Sequence, residues 1–190
     1  MEVGETPLRL NSEPVPAEAM PLATGDHAAR VAAAVAWLES QCGDYAPLRR
    51  QFVAAYLRFV SAQIETHRAE LAARLARYDG LFAPEDFLWS GLRPLPRGWV
   101  PVGERHLPAD VVFWDGTQAT AIELAARETE KQKALRAAGV VVHQIAPAAL
   151  DRMGDVLPDG FHRPWDGETL PSSPFRRPIP PLPRDAPVAD

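Results

Sequence analysis

The chain has 190 residues, 46% of them hydrophobic and 24% charged, a balance typical of one globular domain with additional segments. Its formal net charge of −5 provides no overall attraction to nucleic acid, so phosphate contacts would have to come from a local basic patch. The single cysteine excludes an internal disulfide bond. The lack of a long apolar run and of a secretion signal predicts a cytoplasmic protein without a membrane partner.

Both ends of the sequence are rich in proline. Residues 1–26 contain four prolines among Glu, Ser and Gly, and this composition predicts a disordered segment. The C-terminal residues 158–190 are predicted to be a disordered tail for the same reason. This tail includes the run Ile179–Pro183, which favours polyproline II geometry. The run is either a ligand for an aromatic groove on a partner or simply a solvated end.

Residues 27–80 predict a helical hairpin that packs on the following core. The first helix spans 28–41, after Asp26 as N-cap, and the second runs from Tyr45 to Tyr78. Apolar residues recur at steps of three and four along both helices, which predicts one buried face on each. The hairpin has two functional interpretations, dimerisation of two copies or presentation of arginines to phosphates. The structural alternative is that it only packs on the core and its arginines are solvated. The arginines are Arg49, Arg50, Arg58, Arg68, Arg74 and Arg77.

In residues 81–157, patterns typical of helices alternate with patterns typical of strands, and this order predicts an α/β core. A short helix from Pro84 is followed by three strands, a helix and a final strand. The last strand is a continuous apolar run, which is typical of a buried parallel strand. The predicted elements are a helix at 84–90, a loop at 92–97, strands at 99–102, 109–114 and 119–124, a helix at 127–138, a strand at 140–145 and a short helix at 148–153.

Two acids stand in the middle strands of this core. Asp110 opens the strand that ends in Val-Val-Phe-Trp, and Glu123 interrupts the apolar run of the next strand. The Asp115–Gly116 turn between them predicts a hairpin that brings both acids to one edge of the sheet. Asp110 could simply cap a turn. A charged residue within a buried strand, by contrast, must be paired, protonated or bound to a metal.

This order of elements, with Asp110 and Glu123 in the middle strands, resembles the core of the PD-(D/E)XK, or restriction-endonuclease-like, nuclease superfamily. The resemblance implies that Asp110 and Glu123 bind Mg²⁺ and that the main-chain carbonyl of Leu124 adds a ligand. It also implies a further acid on the first core helix, for which Glu85 and Asp86 are equal candidates. The sequence departs from the family at one position, because Ala125 stands where the family has a lysine.

Other residues are candidates to complete such a site. Lys131 lies four residues before Leu135, so it shares the face of the helix that would pack on the sheet. It either reaches the acids or lies over apolar surface with its ammonium in water. The candidates for contact with nucleic acid are Arg93 and Arg97 in the loop and His106 in the turn before Asp110.

Two functions from different classes follow. The first is a Mg²⁺-dependent nuclease in which Asp110 and Glu123 bind the metal and either Lys131 or water replaces the missing lysine. The second is a catalytically inactive nuclease-fold module that binds nucleic acid or another protein. Ala125 favours the second function, and the two acids favour the first.

Overall fold

The computed structural model describes residues 27–43, 46–78, 82–89, 94–114, 118–125, 128–163 and 165–166. The predictions for residues 1–26, for the polyproline run and for the Asp115–Gly116 turn lie outside these ranges. None of the described helices combines the length and the hydropathy of a membrane-spanning segment.

Helices form the first part of the described chain. They are α1 (His27–Gln41), α2 (Pro47–Thr66), α3 (Arg68–Leu75) and two 3-10 helices, Ala76–Tyr78 and Pro84–Trp89. The helix predicted from Tyr45 to Tyr78 therefore starts later, at a proline whose fixed φ suits the first helical turn. It is also divided at His67, where the backbone turns to φ −102° and ψ 13°.

Strands and helices alternate in the second part, so the fold is mixed α/β. The strands are β1 (Leu95–Pro96), β2 (Trp99–Val102), β3 (Arg105–Pro108), β4 (Val111–Trp114), β5 (Ala119–Glu123) and β6 (Val141–Gln144). The helices are α4 (Glu130–Ala137), a 3-10 helix (Pro147–Arg152), α5 (Met153–Val156) and a 3-10 helix (Asp159–Phe161). Four strands form one sheet in the order β1-β4-β5-β6, in which β5 is antiparallel to β4 and parallel to β6.

The two faces of this sheet pack on different helices. Phe113 in β4 lies on the α2 side, where its ring centroid is 5.1 Å from that of Tyr56. Val112 and Ala121 point to the opposite side and pack with Leu135 of α4. Alternate residues of a strand point to opposite faces. Glu123, two residues after Ala121, therefore belongs to the α4 face.

The predicted three-strand meander is only partly correct. The strand predicted at 99–102 forms, but it pairs with β3 in a separate two-stranded sheet. Its place beside β4 is taken by the short β1, within a segment predicted to be a loop. Gly98 permits this arrangement, because a Cβ on it would lie 2.4 Å from Val112 Cγ2. The turn at Arg97–Gly98 thus lies directly on the sheet.

Two details of the following elements differ from the sequence prediction. α4 begins at Glu130 rather than at residue 127, because Thr129 is its N-cap in a capping box with Gln132. β6 is parallel to β5 as predicted, but it is an edge strand and is only half-buried. Its apolar residues therefore reflect contact on one face rather than a central position.

The ordered core also extends beyond the boundary predicted at residue 157. Phe161 is buried, and its ring centroid is 4.8 Å from that of Phe113. Trp165 is fully buried against Phe87, with 6.3 Å between the ring centroids. Both residues lie in the segment predicted to be a disordered tail, of which the structure describes residues 158–163 and 165–166, and their aromatic side chains supply apolar surface that packs on the core.

Candidate functional site

Asp110 and Glu123 face each other at one end of the β4–β5 pair. Val111 is paired with Ile122, so the residue before Val111 stands opposite the residue after Ile122. Asp110 Oδ2 accepts a hydrogen bond of 2.9 Å from the main-chain N–H of Leu124. The pairing of β4 with β5 therefore brings together three of the residues that the family resemblance assigns to a metal site, namely Asp110, Glu123 and Leu124.

The Glu123 carboxyl group is buried, with 3% of its side chain exposed. Its Oε2 lies 2.6 Å from Lys131 Nζ. Its Oε1 is buried and accepts no hydrogen bond from any residue that the structure describes. A buried oxygen of this kind is costly unless a donor or a cation binds it.

Burial raises the pKa of Glu123 above its ordinary value. The negative charge of Asp110 acts in the same direction, whereas the hydrogen bond and the charge of Lys131 partly oppose it. Two carboxyl groups at one end of a sheet repel each other when both are ionised. A cation that contacts both Asp110 and Glu123 would therefore reduce this repulsion.

Lys131 reaches Glu123 because of how α4 is held on the sheet. Thr129 Oγ1 accepts the N–H of Gln132, and Gln132 Oε1 accepts the N–H of Thr129 at 3.0 Å. One turn after Lys131, Leu135 is fully buried against the sheet. Side chains four apart lie on one face of a helix. Of the two alternatives predicted for Lys131, the structure thus has the one in which the lysine reaches the acids.

Asp110 has a basic partner from the helical hairpin. Arg49 Nε lies 3.3 Å from Asp110 Oδ1. Arg49 Nη1 donates a hydrogen bond of 2.7 Å to the main-chain oxygen of Cys42, just after α1. The carbonyl groups at a helix C-terminus favour a cation. The end of α1 therefore helps to place the arginine beside Asp110.

Two further arginines lie next to Arg49 and form with it the α1-end arginine cluster, defined as Arg49, Arg50 and Arg97. Arg50 Nη2 donates to the main-chain oxygen of Gly43 at 2.9 Å. Arg97 donates its main-chain N–H to the main-chain oxygen of Asp110 at 3.0 Å, and its guanidinium lies beside Gly43. Arg97 has a φ of 57°, which is uncommon for a residue other than glycine. This cluster places three positive charges at the end of α1, and one of them, on Arg49, contacts Asp110 directly.

The three residues predicted to contact nucleic acid have different positions. Arg97 is exposed and belongs to the α1-end arginine cluster. His106 is exposed on β3, within the two-stranded sheet, where it pairs with Pro101. Arg93 lies outside the described residues. Only Arg97 is therefore brought close to Asp110 by the described contacts.

Glu85, predicted as a further metal ligand, belongs to a different group. Its Oε1 lies 2.6 Å from Arg68 Nη2, which also lies 2.7 Å from Glu65 Oε1. Ligand atoms of His27, Glu65 and Glu85 lie within 4.8 Å of one another, and we call these three residues the hairpin acid cluster. The alternative acid, Asp86, accepts the N–H of Ala83 at 2.8 Å and so caps its own 3-10 helix.

Arg68 determines the electrostatics of the hairpin acid cluster. Its hydrogen bond lowers the pKa of Glu65. Burial acts to raise the pKa of Glu85, but the hydrogen bond from Arg68 and smaller effects outweigh it, so this pKa is lowered. Both glutamates are thus stabilised as carboxylates by an arginine that already lies between them.

The sequence did not single out Arg49 as a partner of Asp110 or His27 as a neighbour of two glutamates. The signal for Lys131 was its spacing from Leu135, and no comparable local signal exists for Arg49. Comparison of the chain with protein-family models, with curated proteins and with solved structures finds no match. The geometry of the site is therefore the basis for the functional argument.

Proposed function

We propose that this protein is a metal-dependent nuclease of the PD-(D/E)XK type, with Asp110, Glu123 and Lys131 at its active site. One observation carries the proposal. Glu123 is a buried carboxyl group opposite a second acid, with one oxygen on a lysine and the other without a described partner. Perturbed pKa values of buried carboxyl groups cluster at functional sites, which supports this assignment.

The residues present fit a small divalent cation. Asp110 and Glu123 supply carboxylate oxygens, and the main-chain carbonyl of Leu124 is the third expected ligand. Mg²⁺ prefers oxygen ligands and keeps several water molecules, so two carboxylates and one carbonyl are a sufficient protein contribution. The buried Glu123 Oε1 is the oxygen that such a cation would bind.

When bound, the cation would polarise the scissile phosphate and lower the pKa of an attacking water. The chain's own residues supply the remaining functions. Lys131 is held beside Glu123 Oε2 by the capped helix α4. It would orient the water and stabilise developing negative charge, which is the role of the family lysine that Ala125 replaces. The α1-end arginine cluster would bind the phosphates of the nucleic acid and hold the scissile group near the acids.

A second candidate is a catalytically inactive module that binds nucleic acid or a protein. It is favoured by a specific observation, since each acid already has a basic partner. Asp110 is paired with Arg49 and Glu123 with Lys131, so the four side chains form two neutralised pairs without a metal. In this candidate the acids would be structural, and the arginine cluster would be the functional surface.

Binding of Mn²⁺ and Mg²⁺, measured by calorimetry on the wild type, Asp110→Asn, Glu123→Gln and Glu85→Gln, distinguishes the two candidates. If the protein is a nuclease, the wild type binds both metal ions, and Asp110→Asn and Glu123→Gln abolish this binding. Glu85→Gln is the matched control, because it also removes one carboxylate but in the hairpin acid cluster, and it should retain binding.

Cleavage of supercoiled DNA and of single-stranded RNA with Mg²⁺ is the second measurement. We expect cleavage by the wild type and by Glu85→Gln, and none by Asp110→Asn, Glu123→Gln or Lys131→Met. Metal binding that Asp110→Asn leaves unchanged would contradict the proposed site. A wild type that binds nucleic acid but neither binds metal nor cleaves would favour the inactive module.

A further inference from the structure

Arg49 contacts the oxygen of Asp110 that accepts no hydrogen bond from the described residues. Asp110 Oδ2 already accepts the N–H of Leu124, so Oδ1 has more lone-pair capacity available for a cation. Arg49 Nε lies 3.3 Å from this Oδ1. Lys131 is different, because it binds one oxygen of Glu123 and leaves the other without a described partner. Arg49 is therefore the more direct competitor of a metal at this site.

The second contact of Arg49 limits how far it can move. Its Nη1 donates to the main-chain oxygen of Cys42 at 2.7 Å, and 26% of its side chain is exposed. A guanidinium has five N–H donors, and the described contacts of Arg49 are one hydrogen bond, to Cys42, and one ion pair, with Asp110. The side chain can therefore leave Asp110, stay near the end of α1 and present free donors to the solvent side of the site.

We infer that Arg49 exchanges partners during the working cycle, an inference that rests on the proposed function. Without metal, Arg49 is paired with Asp110 and neutralises it. When a divalent cation binds Asp110, the positive charges repel each other and Arg49 turns to a phosphate of the nucleic acid, which it can bind bidentately. Arg49 is thus a positioning residue that couples metal binding to substrate binding.

This exchange has a thermodynamic signature. If the metal frees Arg49 for a phosphate, bound metal increases the affinity for nucleic acid, and bound nucleic acid must increase the affinity for metal by the same factor. Replacing Arg49 by an uncharged side chain removes the competitor of the metal and also one ligand of the phosphate. The two affinities should then change in opposite directions, which simple loss of local structure would not produce.

The test uses the full chain and two binding measurements on the wild type, Arg49→Met, Arg49→Lys and Arg58→Met. The first is calorimetry with MnCl₂. The second is fluorescence anisotropy in CaCl₂ with a labelled DNA duplex and a labelled single-stranded RNA, since Ca²⁺ separates binding from cleavage. Arg58→Met is the matched control, because Arg58 is an exposed arginine of the same helix that lines a cavity with Asp151 and Asp155 instead of the acid pair.

We expect Arg49→Met to bind Mn²⁺ about fivefold more tightly and nucleic acid about fivefold more weakly, at the lower end of usual coupling factors. Arg58→Met should match the wild type in both measurements. Arg49→Lys keeps the charge, so its Mn²⁺ affinity should stay near that of the wild type. Circular dichroism of each variant verifies that it is folded.

Three results would overturn the exchange. They are affinities of Arg49→Met that change in the same direction, affinities that do not change, and an Arg49→Lys that binds Mn²⁺ as tightly as Arg49→Met. Failure of the proposed function has a different signature. In that case Asp110→Asn retains the Mn²⁺ binding of the wild type, or the wild type binds neither DNA nor RNA.

Discussion

The acid pair at the sheet, Asp110 and Glu123, and the hairpin acid cluster both contain carboxyl groups, but the pKa values of their glutamates are shifted in opposite directions. In the acid pair, Glu123 has 3% of its side chain exposed and one oxygen without a described partner. In the hairpin acid cluster, Glu65 has 47% of its side chain exposed, and Arg68 lies between Glu65 and Glu85. Burial raises the pKa of Glu123, whereas Arg68 lowers the pKa of Glu65.

The comparison shows that the number of nearby ligand atoms and the electrostatic environment of those atoms are separate properties. The hairpin acid cluster offers three ligand atoms within 4.8 Å and the acid pair only two side chains. Both regions have basic partners, which are Arg68 in the cluster and Arg49 and Lys131 at the acid pair. The pair of Arg68 with Glu65 lies at the surface. The acid pair combines burial with an unsatisfied oxygen, which is the arrangement that a bound cation would relieve.

Lys131→Met should cause the largest change in stability. It leaves the buried Glu123 without its basic partner, so the free energy of unfolding should fall by roughly 3 kcal/mol at neutral pH. Urea denaturation measures this. Lys133→Met is the matched control, because Lys133 pairs with the exposed Glu130 and should change stability by less than about 0.5 kcal/mol. Equal losses in both variants would show that the pair with Glu123 is not special.

The difference in stability between the wild type and Glu123→Gln should depend on pH in the opposite direction to the difference between the wild type and Glu85→Gln. The pKa of Glu123 is raised above 4.5, so its contribution to stability is complete below pH 4.5 and is lost as pH rises through the raised pKa. The pKa of Glu85 is lowered from 4.5, so its contribution is present above pH 4.5 and is lost as pH falls through the lowered pKa.

Urea denaturation of both variants and the wild type across this range tests the pH prediction. The stability of the wild type relative to Glu123→Gln should fall as pH rises above 4.5. Its stability relative to Glu85→Gln should instead fall as pH drops below 4.5. If both stability differences changed with pH in the same direction, the opposite pKa shifts of Glu123 and Glu85 would be contradicted.

Thr129→Ala tests how firmly the fold holds Lys131 on Glu123. The substitution removes one half of the capping box at the start of α4, which should cost about 1 kcal/mol of stability. Thr129→Ser keeps the hydroxyl and should remain close to the wild type. A Thr129→Ala protein of unchanged stability would show that packing of Leu135 alone holds α4 in place.

Arg68→Met should have the smallest effect, although it removes contacts with two glutamates. The Arg68 side chain is 42% exposed, and exposed ion pairs contribute little. We expect a loss of about 0.5 kcal/mol that shrinks further at high salt. Thermal unfolding at low and high ionic strength measures it. A loss as large as that of Lys131→Met would mean that the hairpin acid cluster is also a strongly coupled site.

Local patterns in the sequence predicted much of the fold. The three- and four-residue spacing of apolar side chains in α1 and α2 gave the buried faces, with Phe52, Tyr56 and Val60 almost fully buried. The parallel pairing of β5 and β6 follows from the helix between them. The start of α4 could have been predicted more accurately, because Thr129 and Gln132 have the spacing of a capping box.

Other features could not be predicted, since they depend on contacts between distant segments. The residues of β1 read as a loop, because a two-residue strand containing proline has no periodicity to detect. Glu85 has a favourable position on its own 3-10 helix, but its partner Arg68 is set by the packing of that helix on α3. The burial of Trp165 likewise depends on Phe87, which lies in a distant part of the chain.

The sequence by itself determined that the two acids face each other, because strand alternation and the hairpin act over a few residues. For Lys131 the helical repeat left two positions open, and the packing of α4 on the sheet decided for the contact with Glu123. Only the tertiary structure decided that Arg49 is paired with Asp110 and that Arg97 lies beside it. The packing of α2 and of the Arg97–Gly98 turn on the sheet sets these contacts, and a one-dimensional pattern does not encode that packing.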